Sequence, residues 1–72
     1  MRRHIKAEVA IEIISMYIAM NLKYKNTKKA NALILERKQI YLGNEDMMDK
    51  ALTIYSKNLL QLMEDENGIN FI

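Results

Sequence analysis

RHIKAEVAIEIISMYIAMNLKY, residues 3–24, decides the fold. Wound as a helix at about 100° per residue, it places His4, Glu8, Glu12, Ser15, Ala19 and Lys23 in one narrow stripe. Nearly everything else is apolar. Ile5, Val9, Ile13, Met16 and Met20 form one flank. Ala7, Ile11, Ile14, Ile18 and Leu22 form the other, with Ala10, Tyr17 and Tyr24 between them. A helix packed on one side needs an apolar stripe of about 100° or a little more. This one is apolar over most of its circumference. It is expected at the centre of the fold, covered on one side by its own chain and on the other by a second surface.

Downstream, residues 28–42 open at Asn26 or Thr27, both suited to capping a helix start, and carry Ala30, Leu33, Ile34, Ile40 and Tyr41 on one face. Gly43 follows, where a left-handed residue ends a helix. Residues 23–29 crowd four lysines and match the apolar pattern poorly, so a break is expected there rather than one helix over 3–42. Asn44 caps a third helix over about 45–66. Its early acids Glu45, Asp46 and Asp49 sit at the positive end of the helix dipole, and Met48, Leu52, Tyr55, Leu59 and Leu62 step by 4, 3, 4 and 3. Met47, Ala51, Ile54 and Met63 widen that seam. Gly68 is placed to stop the helix, and residues 67–72 read as a short apolar tail. The expected fold is all-α: one domain over 1–72, either a three-helix bundle or a long helical hairpin with an extra arm.

A chain of 72 residues buries only about 60% of the surface its unfolded form exposes, and scaffolds of this size usually gain support from disulfides, a metal or a partner. With no Cys and one His, thiolate and His-rich metal sites drop out, which leaves association. The apolar run over 9–22 contains Glu12 and falls short of the ~20 residues a membrane span needs. Although Met1, Arg2 and Arg3 precede an apolar stretch, that stretch carries Lys6, Glu8 and Glu12, and no small-residue cleavage site follows. The reading is therefore cytoplasmic, with no membrane contact, and the Lys, Asn and Ile content suggests a bacterial or phage source.

Charge is unevenly spread. Residues 1–43 hold nine basic groups against three acids, a net of +6, and residues 44–72 hold two against six, a net of −4. Either the halves complement each other or a charged partner is involved.

No catalytic constellation emerges. His4 has no carboxylate to orient it, Ser15 and Ser56 have no base beside them, and Glu8 with Glu12 lack the facing carboxylates and histidines of a bundle metal site. No cofactor, metal or small-molecule substrate is expected. Asp49, Lys50, Ala51 and Leu52 with Tyr55 and Leu59 resemble the second helix of a tetratricopeptide repeat, but Gly43 is misplaced for that family. The run Ser56 to Leu60 resembles the signature of small sporulation-type aspartyl-phosphate phosphatases, but Leu60 stands where that motif ends in Asp. Neither likeness assigns a family.

Two functions are weighed. The leading one is a small regulatory or interaction protein, homodimeric or bound to a protein partner, using Ile11, Ile14, Ile18, Leu22, Met47 and Met63 as its interface. Six methionines suit an adaptable surface of this kind. The alternative is a nucleic-acid-binding helical regulator that contacts phosphates through Lys23, Lys25, Lys28 and Lys29. A helix-turn-helix is disfavoured, because the helix after Gly43 begins with acids that phosphate would repel.

Overall fold

The computed structural model describes residues 3–66, with side chains from His4 onward. Arg2, the Arg3 side chain, the Gly68 stop and the apolar tail lie outside that description. The described residues are all helix and turn: α1 (Arg3–Lys23), α2 (Thr27–Tyr41), α3 (Glu45–Lys50), a π-helical turn (Ala51–Tyr55) and α4 (Ser56–Glu66). The last three share one unbroken helical backbone, with right-handed angles at Lys50, Ala51 and Ser56. They form a single third rod, and the architecture is a three-helix bundle.

α1 is central. α2 returns antiparallel beside it, and the third rod runs parallel to it on the other flank. Contacts in order along the third rod record that direction: Lys6 with Asp49 at one end, the Tyr17 and Tyr55 rings 5.1 Å apart midway, and Lys23 with Glu66 at the other. The core is one cluster: Ala10, Ile14, Tyr17 and Ile18 from α1, Ala30, Leu33 and Ile40 from α2, and Met48, Ala51, Tyr55 and Leu59 from the third rod. Fully buried Ile14, Ile40 and Met48 each contribute about 1.5–3 kcal/mol of transfer free energy.

This arrangement corrects one expectation. The α1 flank of Ile11, Ile14, Ile18 and Leu22 was expected to need a second surface. The chain covers most of it: Ile14 is 0% exposed, Ile18 5%, and Ile11 is half-buried. The physical reason is that both neighbours of α1 come from the same chain, one per flank. The solvent-facing stripe is the polar one. His4, Glu8, Glu12, Ala19 and Lys23 are exposed, and Ser15 is half-buried because the Arg37 guanidinium donates to its hydroxyl at 2.9 Å.

Both turns use the same backbone device. At the end of α2, the Gly43 N–H donates to the Ile40 carbonyl (2.9 Å) and the Asn44 N–H to the Gln39 carbonyl (3.0 Å), with Gly43 at φ +93°. At the end of α1, the Lys25 N–H donates to the Leu22 carbonyl (3.0 Å) and the Asn26 N–H to the Asn21 carbonyl (2.7 Å). This is the paired 5→2 and 6→1 pattern that closes helices through a left-handed residue. In the first turn that residue is a lysine, Lys25 at φ +63°. The break expected within 23–29 is therefore made, without glycine, by a strained side-chain-bearing residue.

The two asparagines that follow behave differently. Asn44 Oδ1 accepts from the Met47 N–H at 3.0 Å, a true cap. Asn26 makes no side-chain cap. Its amide is turned back toward the Asn21 side chain, 3.4 Å away. Asn21, 2% exposed, in turn donates to the Tyr17 carbonyl at 2.8 Å.

The π turn lies within the buried row of the third rod. The interior row is Met48, Ala51, Tyr55 and Leu59, while Leu52 and Leu62 lie at its margin, half-buried. The Ser56 N–H reaches five residues back to Ala51, and the Ser56 hydroxyl donates to the Leu52 carbonyl at 2.6 Å. Thr53 makes the matching bond to the Asp49 carbonyl at 2.7 Å. Such hydroxyl bonds to the preceding turn loosen a helical ladder.

Candidate binding surfaces

Three surfaces stand out. The first is an apolar groove of about 240 Å³ between α1 and α4, lined by Met16, Ala19, Met20, Leu59 and Met63, with Glu66 at its end. Met16 is 50% exposed and Met63 42%. Their unbranched thioether side chains adapt to an incoming shape more readily than branched ones. Lys23 donates to the Glu66 carboxylate and closes the groove's end, and the Tyr24 hydroxyl also donates to it at 3.3 Å. The Lys23 ammonium holds the Glu66 carboxyl below its ordinary range, and the same contact raises Lys23.

The second surface is the outer side of α2. Ile34, Leu35, Tyr41 and Leu42 are exposed there, Leu35 and Leu42 by 67% and 71%. Their spacing of one and seven residues puts them on a single stripe, with the exposed Lys38 between them.

The third is polar. No Cα of α4 comes within 8 Å of one in α2, and the gap is a cleft of about 350 Å³. Its lining comes from all three helices: Tyr17 and Asn21 of α1, Asn26 in the first turn, Lys29 of α2, and Asn58 with Gln61 of α4. The Lys29 ammonium stands 5.1 Å from the centre of the Tyr17 ring, a cation–π arrangement. Asn58 Nδ2 donates to the Tyr17 hydroxyl at 3.3 Å.

At the opposite end of the cleft wall, the Tyr55 hydroxyl donates to Glu36, and Lys50 lies 3.9 Å from the same carboxylate and 5.3 Å from the Tyr55 ring. Burial first, then the Glu36 carboxylate, raises the Tyr55 phenol. Tyr55 and then Glu36 raise the Lys50 ammonium. This knot pins the π turn to α2 and marks where the two rods part.

The residues singled out from the sequence do not form one site. Ile14 and Ile18 are core, Ile11 and Met47 are half-buried against it, Leu22 is 49% exposed near the end of α1, and Met63 lies in the apolar groove. Met16 and Met20, on the other flank of α1, are the groove residues that reasoning missed. Their pairing with Met63 depends on the parallel course of α4, which helical periodicity does not encode. The lysines also separate. Lys23 is paired with Glu66, Lys29 lies over Tyr17, and Lys25 and Lys28 are exposed. Two of the ion pairs, Lys6–Asp49 at 2.6 Å and Lys23–Glu66, join the basic half of the chain to the acidic half. Part of the charge asymmetry is thus absorbed within the fold.

Among the described residues, no group of three or more His, Asp or Glu side chains is placed to hold a metal ion, and no helix is long and apolar enough to cross a membrane. No protein-family model, curated protein sequence or solved structure matches the chain.

Proposed function

We propose that this chain is a small non-enzymatic interaction protein that binds a protein partner through its apolar groove. The observation that carries the reading is the pair of half-exposed methionines, Met16 and Met63, that line one groove from two different helices. A groove of this kind suits the apolar face of an amphipathic helix, read through anchors three or four residues apart. The α2 stripe of Ile34, Leu35, Tyr41 and Leu42 is itself such a face, so a second copy and an unrelated helical protein are both partners of the right chemistry. Regulation by association, in a cytoplasmic setting, is the role this reading implies.

The test is a paired substitution, Met16→Lys with Met63→Lys. Both positions are exposed enough to accept a lysine without burying its charge. The variant should keep its helical circular dichroism and melting temperature while losing its dimer in sedimentation equilibrium or its cross-linked partner in cells. Association unchanged in the double variant, or a wild-type protein that stays monomeric and cross-links to nothing, refutes the reading.

A further inference from the structure

We propose that the polar cleft between α2 and α4 is a binding site for a small organic anion, a phosphate ester or carboxylate whose body carries further hydrogen-bonding atoms. The cleft's volume, about 350 Å³, lies within the range of small-molecule sites and exceeds what an inorganic ion fills. Its lining holds one cation, Lys29, and no carboxylate. Among the described residues the Lys29 ammonium has neither an ion pair nor a hydrogen bond. Its contact is the face of Tyr17, so it keeps all three donors for a ligand.

The surrounding groups fit the rest of such a molecule. The Tyr17 hydroxyl accepts from Asn58, which leaves its own hydrogen free to donate. The amides of Asn26, Asn58 and Gln61 each donate once within the protein, to Asn21, Tyr17 and the Asp65 carboxylate, which leaves each a second N–H and a carbonyl, the pattern that reads polar edges such as those of a base or a sugar. Leu62 and the Tyr17 ring provide apolar walls. The floor is firm: Asn21 is 2% exposed and fixed to the Tyr17 carbonyl. A cation held over an aromatic ring, with amides on both sides and no competing acid in the lining, favours an anion over a neutral or cationic guest. This inference does not depend on the apolar groove, which opens on the other side of α4.

Titration followed by ¹⁵N–¹H correlation spectra tests it, because the side-chain amides of Asn21, Asn26, Asn58 and Gln61 report directly from the lining. The full chain is titrated with adenosine monophosphate and, separately, with citrate. The expected result is a saturable shift of the Asn58 and Gln61 side-chain signals and of the backbone at 26–29 with at least one probe. In Lys29→Gln, whose exposed position leaves the rest of the spectrum intact, affinity should fall about tenfold or more. No saturable shift with either probe up to about 20 mM overturns the proposal. So does equal binding by Lys29→Gln, or a response spread evenly over Lys25, Lys28 and Lys57, which is the pattern of loose charge attraction.

Discussion

Lys25 is the residue whose replacement should make this protein more stable. It occupies the left-handed position that closes α1, at φ +63°, and an L-residue there costs roughly 1–2 kcal/mol. Glycine removes that cost but gives the unfolded chain more freedom, a loss of roughly 0.5–1 kcal/mol. The net gain expected for Lys25→Gly is about 0.5–1 kcal/mol. In a domain of this size that raises the melting temperature by about 2–8 °C, measurable by circular dichroism. Charge offers a competing explanation, because Lys23, Lys28 and Lys29 are close in sequence. Lys25→Ala separates the two: it removes the same charge but keeps the left-handed penalty, so it should give no comparable gain. If Lys25→Ala stabilises as much as Lys25→Gly, or if the glycine variant melts no higher than wild type, the backbone argument fails. Gly43→Ala is the mirror experiment. A Cβ there meets nothing within 4 Å, so the expected loss of roughly 1–2 kcal/mol comes from φ +93° alone.

Three further outcomes follow from the packing, the caps and the charges. Ile14→Ala, at a fully buried position, should cost about 2–5 kcal/mol, a large share of the ~4–11 kcal/mol such a chain is expected to have, and should show as a collapse of the thermal transition. Asn44→Ala should cost about 1 kcal/mol through loss of its cap, and Asn26→Ala less, because its side chain caps nothing; urea midpoints for the two variants check the order. In an NMR pH titration Glu66 should titrate below its ordinary 4.5, and Lys23→Met should return it upward. Because the folded value is lowered, the Lys23–Glu66 tie is intact at neutral pH and is lost as pH falls through that lowered value.

The sequence made the helices and their ends legible, because apolar spacing, Asn44 and Gly43 act locally. Observed boundaries at Lys23, Thr27, Tyr41, Glu45 and Glu66 fall within one residue of those expected. The breadth of apolar surface on α1 was also a sound signal that it lies at the centre. What it did not contain was the identity of the second cover. Whether Ile14 and Ile18 meet a partner or the chain's own α2 depends on how the helices are arranged in space, and two turns of three residues return each neighbour to α1. The groove and the cleft were hidden for the same reason: Met16 with Met63, and Lys29 with Asn58, become neighbours only once the parallel course of α4 is set. In the sequence Lys25 shows only a charge, and its backbone role has no side-chain signature.

The π turn gives the third rod a spare residue. In a regular α-helix counted from Met48, at about 100° per residue, Tyr55 and Leu59 fall within about 20° of Met48, with Leu62 and Asn58 about 40° and 80° to one side. The wider turn takes up one extra residue, so every position after it is shifted by about one place relative to that pattern. Deleting the exposed Thr53 should therefore leave an ordinary α-helix with Leu59 still inward and both α4-lined surfaces preserved. Adding a residue there should rotate the whole of α4 by about 100° and change the side chains it presents to the groove and the cleft. The length of this one segment, rather than the chemistry of any residue in it, sets the phase of everything after it.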